Sequence, residues 1–341
     1  MNLNGIKQIG IVGGGQGALM LCIEAAKMGI RTSLLDPKVN AVGAQIASEH
    51  IICAITNESI QKLSLRCDVV VFNTKPDFEI NVKLHSKTYP PKENLKELYH
   101  YKNVLEILEV LEIPTMKTYY QDNQKLTFGE IEKLEFPFRF VKQYRDRTEL
   151  MDVYNKEDLT DFILEVDDTA ESFLLQPLST YEKVIHYLCI VDEQGKIICY
   201  DPIEEYDEED RLCRLNMVST LSKSMQQRLT RYNRKLLKEI QAVGAFTIKY
   251  GVKANKSVEL IDITPQLSMA ALLTPEAYEL SVYEQYMHLI LGLKLTKPEL
   301  EAYVHGTVRE TKEQPAEDEV CHFYRFGLNN LCIVREKRNE L

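Results

Sequence analysis

No stretch of about 18 consecutive apolar residues occurs in the chain, so no segment is expected to cross a membrane. The opening MNLNGIKQIGIV has no extended apolar stretch before a small-residue cleavage site. A cytoplasmic location is the expectation. The eight cysteines contain no C-x-x-C pair, which fits neither a disulfide framework nor a zinc site. Most lie inside apolar runs, as Cys22 does in LMLCIEAA, and read as small buried hydrophobes. There is no basic excess either. The formal net charge is −10, which disfavours a broad nucleic-acid surface. Internal repeats and low-complexity tracts are absent. What remains is 341 residues, 45% hydrophobic and 27% charged, the composition of a soluble globular chain of two or three domains.

Residues 6–75 alternate strand and helix signals. KQIGIVGG, RTSLLD and DVVVFN read as strands and ASEHIICAI as a short strand or turn, with GALMLCIEAAKMG and ESIQKLSLRC as helices between them. That rhythm predicts a parallel sheet covered on both faces. A long helix is expected from Glu93 to about Leu111, stopped by Pro114. Residues 115–200 carry short strand candidates such as FRFVKQY and VIHYLCIVD, with a hairpin turn at DEQGK, and predict an α+β region. An acidic stretch, DPIEEYDEED, is followed by a long helix ending near Gly244. AFTIKYGVK and SVELIDITP then read as strands, a helix spans about Pro275 to Leu291, and CHFYRF and NNLCIVRE form a last strand pair.

The chemistry-bearing motif is IGIVGGGQGALM, Ile9 to Met20. Gly13, Gly15 and Ala18 fit G-x-G-x-x-A between a strand and a helix, where backbone amides can approach an anion. Asp36 ends the second strand at the distance of a ribose acceptor. The pattern admits a nicotinamide-dependent oxidoreductase using Gly13–Gly17. It equally admits a β-α turn that needs glycine only for packing.

The flanking residues resemble the ATP-grasp enzyme family of N5-carboxyaminoimidazole ribonucleotide synthetases. The matches run in order through IGIVGGGQGALM, LLDP, AQIASEHII, LRCDVVVFN, LEIPTMKTY, FPFRFVKQY, VGAFTIKYG, IDITPQL and YEQYMHLILGL. The resemblance implies an ATP-grasp fold of α/β and α+β parts, opened by a Rossmann-like preATP-grasp parallel sheet. The implied divisions are a preATP-grasp domain at 1–100, a lid-side small subdomain at 101–185, an ATP-grasp core at 186–295 and a small β extension at 296–341. It also implies a homodimer in purine synthesis that carboxylates aminoimidazole ribonucleotide with ATP, bicarbonate and Mg²⁺. Gly13, Gly14, Gly15, Gln16 and Asp36 are then expected at the ribonucleotide phosphate, and Lys142, Gln176, Glu182 and Glu204 at the nucleotide.

Several motif positions depart from the family pattern. Of the two metal carboxylates, the first falls on Lys249 in TIKYG and the second on Asp262 in LIDIT. A cation in the first place opposes a divalent ion, since a unit-charge contact at about 4 Å is worth roughly 4 kcal/mol at an effective dielectric of 20. Asp262 is left as a doubtful metal ligand, and a salt bridge between Lys249 and Asp262 is the expectation. The Gly-rich lid after Lys142 is replaced by QYRDRTELMDV, with Arg145 and Arg147 as a charged turn. The other ATP-contacting lysine of the family falls near Leu105, one turn from Lys102. The substrate loop reads TPQLSMAALL, with Gln266, Ser268 and Met269 in place of Arg, His and Asn. The family's F-E-F-E-N is FNTKPD, and its loop arginine is Ala18. His186 reads as a satisfied core residue, and no Ser-His-Asp or Cys-His pattern suggests another reaction. These departures predict a catalytically impaired paralogue that binds a nucleotide or small ligand. An active ATP-dependent ligase with a changed acceptor is the alternative, and the nicotinamide oxidoreductase a further one.

Overall fold

The apolar runs at the start of the chain form strands β1 (Gln8–Val12), β2 (Arg31–Leu35), β3 (Glu49–Ile51), β4 (Val69–Phe72) and β5 (Lys87–Tyr89). In the computed structural model of the chain they make a parallel sheet of order β3-β2-β1-β4-β5. The structure describes residues 5–122, 136–144, 148–158, 172–207, 213–217, 219–310, 321–326 and 329–335. Arg145, Arg147 and most of the charged ETKEQPAEDE segment lie outside them. Helix α1 (Gln16–Lys27) covers one face of the sheet and α2 (Asn57–Arg66) the other. A reciprocal cap starts α2: Thr56 Oγ1 accepts from Ser59 N at 3.2 Å, and Thr56 N donates to Ser59 Oγ at 2.9 Å.

The single helix expected from Glu93 is two, α3 (Lys92–Tyr99) and α4 (Tyr101–Val110). His100 sits between them at φ −84°, ψ 99°. The break has a visible cause. Gln143 Nε2 donates to the Tyr99 carbonyl at 2.6 Å, drawing it out of the helical ladder. Gln143 belongs to an antiparallel sheet of β6 (Tyr119–Asp122), β7 (Phe138–Gln143), β8 (Thr148–Val153) and β9 (Ser172–Pro177), ordered β6-β9-β7-β8. This sheet has its own apolar cluster of Phe138, Phe140, Tyr144, Val153, Phe173 and Leu175.

The third sheet contains β10 (Lys183–Val191), β11 (Ile197–Cys199), β12 (Ile203–Asp207), β13 (Cys213–Asn216), β14 (Gly244–Val252), β15 (Val258–Thr264), β16 (Val304–Glu310), β17 (Cys321–Phe326) and β18 (Asn329–Arg335). Its order is β15-β14-β10-β12-β13-β16-β18-β17, with β11 paired to β10. Part of the acidic stretch is thus a strand. The last strands, expected as a separate extension, continue this sheet through the β13–β16 pairing. Helix α5 (Lys223–Glu239) packs on one face. On the other lie α6 (Thr274–Ala277) and α7 (Val282–Ile290), which replace the single helix expected there. Tyr278 is extended between them, and a Ser281–Glu284 capping box restarts the helix. No helix among the described residues is long and apolar enough to cross a membrane.

Asn94, 4% exposed, joins α3 to the chain leaving α5. Its Nδ2 donates to Ile240 O at 2.8 Å and its Oδ1 accepts from Val243 N at 3.0 Å. Asn94→Ala orphans both backbone groups and is expected to cost about 2 kcal/mol. Urea unfolding checks this: the midpoint falls while the slope holds.

Candidate functional site

The glycine loop is held by its own neighbours. Gly13 takes φ +91°, and a Cβ there would sit 2.7 Å from Thr74 Cγ2, so no side chain is tolerated. Asn73 Nδ2 donates to Gly13 O at 3.2 Å. Asp36 accepts from Gly14 N at 2.6 Å and from Lys38 N at 2.8 Å. Its carboxylate is therefore engaged by backbone amides, which is what positions the loop. Gly15 caps α1 without a side chain, leaving the first-turn amides open to an anion. The Gln16 side-chain amide is buried there with no protein partner.

A polar row crosses one face of the third sheet. Alternation along β10 sends Ile185, Tyr187 and Cys189 to the α5 side, and His186, Leu188 and Ile190 to the other. His186 lies opposite Lys249 on β14, and Lys249 lies opposite Asp262 on β15, where a bulge follows. The expected Lys249–Asp262 salt bridge does not form: no ion pair within 4.0 Å joins these two described residues. The bulge after Lys249 shifts the register there. The pair still interacts through space. Burial pushes the Asp262 carboxyl up, and the Lys249 and Lys75 ammonium groups pull it back.

Lys75 was not foreseen as a site residue. It follows β4 in the segment FNTKPD, and its Nζ sits 5.0 Å from the Tyr101 ring centroid. Burial pushes its ammonium pKa down, and Asp262 opposes that shift. Its signal in the sequence was a lysine just past the carboxyl end of an apolar parallel strand, where open α/β sheets place ligand groups. Lys75, Tyr101, Leu105, Thr115, Gln176 and Asp262 are among the residues lining a cleft between helix α4, the segment 115–118 and the edge strand β15. The cleft holds only about 40 Å³. A water needs about 10–15 Å³ of such space, so the cleft admits a few waters and not a nucleotide.

Asp262 and two ammonium groups do not suit Mg²⁺, which prefers carboxylates and phosphate oxygens. Among the described residues no group of three or more His, Cys, Asp or Glu side chains could hold a metal.

His186 is 2% exposed, as expected of a core residue, yet both ring nitrogens face polar atoms. Nδ1 is 3.0 Å from Ser268 Oγ, and Nε2 is 2.7 Å from Glu205 Oε2. The His186 contact holds the Glu205 carboxyl below the usual carboxylate range, against burial. Ser268 N also donates to Thr247 Oγ1 at 2.9 Å. This Ser-His-Glu chain ties β10 and β12 to the loop after β15. Residues distant in sequence supply it, so linear spacing could not show it.

Glu204 is fully buried. It accepts from Lys183 Nζ at 2.9 Å, Ser219 Oγ at 3.0 Å and Thr220 N at 2.7 Å, and Tyr206 OH also donates to it. Burial alone would raise its carboxyl, but the Tyr206, Lys183 and Thr220 bonds outweigh burial and hold it low. Lys142 is 2% exposed on β7, opposite Glu149 and Phe173. Glu182 is at the surface, paired with Lys256 at 2.6 Å. Of the four residues expected at a nucleotide, Gln176 alone lines the described cleft.

Residues 6–96 match the model of the ribonucleotide synthetase preATP-grasp domain. N5-carboxyaminoimidazole ribonucleotide synthase of Staphylococcus aureus (strain MRSA252) is 23% identical over 306 residues, 86% of this chain and 80% of that protein. The Staphylococcus epidermidis (strain ATCC 12228) protein of the same name is 25% identical over 319 residues, with the same coverage. The N5-carboxyaminoimidazole ribonucleotide synthetase of Thermotoga maritima superposes with a TM-score of 0.77 at 21% identity, covering 97% of this chain and 94% of that one. The chain has the fold of these ATP-grasp synthetases and resembles them in sequence. Two further structures of this fold carry ligands. The Staphylococcus aureus synthetase complexed with ADP matches at TM-score 0.76 and 17% identity, covering 98% of this chain and 94% of its own. The Aspergillus clavatus enzyme with ADP and 5-aminoimidazole ribonucleotide matches at TM-score 0.76 and 17% identity, covering 97% and 94%.

Glu204 sets a pH dependence of this chain's stability. Its carboxyl is held below the unfolded value of about 4.3, so the stability it supplies is complete above that pH. That stability is lost as pH falls through the folded value. Glu204→Gln is expected to lower stability at pH 7 and to flatten the acid limb of the stability curve, read by urea melts across pH 3 to 7.

Proposed function

We propose that this ATP-grasp chain binds an adenine nucleotide between its antiparallel sheet and its third sheet, and is impaired in magnesium-dependent phosphoryl transfer. The flanking of Asp262 by Lys249 and Lys75 carries this reading. Phosphoryl transfer relies on metal ions that bridge phosphates and neutralise charge. Here one of the two matching positions, Lys249, supplies an ammonium group instead of a carboxylate. The nucleotide complexes of the synthetases with this fold support the ligand class. A nucleotide needs more room than the cleft offers, so its binding includes an opening of this region. Gln176 and Lys142 then face the base side, and the amides of Gly15 and Gln16 offer an anion site.

A second reading is an active ATP-dependent ligase. The ordered Glu204 cluster and the full-length likeness to synthetases favour it. The two separate in one experiment. ADP titrated calorimetrically into the chain is expected to bind equally, within about twofold, with or without Mg²⁺. Phosphate release with ATP, bicarbonate and aminoimidazole ribonucleotide is expected at background. Robust magnesium-dependent release would overturn impairment. Lys249→Glu is expected to make ADP binding magnesium-dependent, about tenfold tighter with the ion present, because it exchanges repulsion for a second carboxylate. The homodimer implied by the resemblance is part of the proposal, and sedimentation equilibrium measures it.

A further inference from the structure

Cys189 and Cys199 lie directly opposite each other on β10 and β11, with Sγ atoms 3.2 Å apart. The backbone bonds fix the kind of pair this is. Tyr200 N donates to Leu188 O at 3.0 Å and Asp192 N to Lys196 O at 3.1 Å. Hydrogen-bonded pairs alternate along an antiparallel ladder, so 188/200, 190/198 and 192/196 are bonded and 189/199 is not. Non-bonded pairs bring their Cα atoms to about 4.5 Å, inside the range a disulfide spans. The sulfurs need only close to about 2.05 Å, with no change of register.

The two thiols are not equivalent. Cys189 is fully buried, whereas Cys199 is partly exposed. The Cys189 thiol donates to Cys199 Sγ, and Arg234 on α5 adds positive charge nearby. Both effects favour a thiolate at Cys199, and its pKa is lowered against burial. Cys189 is raised in turn by that same contact and by burial.

We propose that Cys189 and Cys199 are a reversible thiol–disulfide modification site, with Cys199 the attacking thiol and Cys189 the resolving one. The co-substrate is a low-molecular-weight disulfide of the glutathione type. The Cys199 thiolate attacks one of its sulfurs and expels one small thiolate, leaving a mixed disulfide on Cys199. Cys189 gives up its proton and attacks the Cys199 sulfur, and the second small thiol leaves. Two protein thiols are oxidised and one small disulfide is reduced to two thiols. The product links residues already paired across the hairpin.

The test equilibrates the full chain in glutathione buffers of stepwise oxidising ratio, quenches with acid, alkylates and maps peptides by mass. The expected result is a linked 189–199 pair lacking two hydrogens, with far-ultraviolet dichroism unchanged, while exposed Cys53 gains only a glutathione adduct. In Cys189→Ser the adduct is expected to persist on Cys199. In Cys199→Ser, Cys189 is expected to stay unmodified. Complete alkylation of both thiols in the wild-type chain at the most oxidising ratio overturns the proposal. So does linkage that appears only with loss of the dichroism signal. Adduct formation on Cys189 in Cys199→Ser at the wild-type rate overturns the order of attack. The wild-type measurement stands alone if either variant folds poorly.

Discussion

A buried carboxylate must be neutralised, and the way Asp262 is neutralised organises the centre of this molecule. Charge removed from water is costly unless an opposite charge accompanies it. Asp262 has Lys249 across the ladder and Lys75 arriving from the first sheet. Lys249 also faces Glu205, so two ammonium groups meet two carboxylates here. The neighbouring row repeats the logic at lower charge, with His186 held between Glu205 and Ser268.

The fold was largely legible in the sequence, because the signals for it are local. The glycine loop, the apolar runs of β1 and β4 and the alternation in AFTIKYGVK each specify an element and a buried face. Helix lengths were less legible. The breaks at His100 and Tyr278 depend on tertiary partners, such as the Gln143 amide on the Tyr99 carbonyl, and nothing in either segment announces them.

The site was legible only where one residue type carries the argument. The expectation that Lys249 opposes a metal rests on its charge alone. The Asp36 contacts with the glycine loop required coordinates, since the spacing suited a ribose acceptor equally well. Glu205 and Ser268 were invisible as partners of His186, because the chain brings them together from positions far apart. The expected ion pair of Lys249 and Asp262 failed for a subtler reason. Cross-strand register sets which residues face each other, but a bulge beside the pair decides how closely their tips approach.

The apolar clusters divide the chain unevenly. Ile9, Ile11 and Val71 of the first sheet share one continuous cluster with Leu188, Ile190 and the helix 282–290, while the antiparallel sheet keeps a separate one. Tyr286 OH donates to Tyr89 O at 3.2 Å and reinforces the shared body. Parting the first and third sheets would expose a large hydrophobic surface to water, whereas the antiparallel sheet meets α3 through buried polar bonds such as Gln143 to Tyr99. The first and third sheets therefore share one core, whereas the antiparallel sheet carries its own.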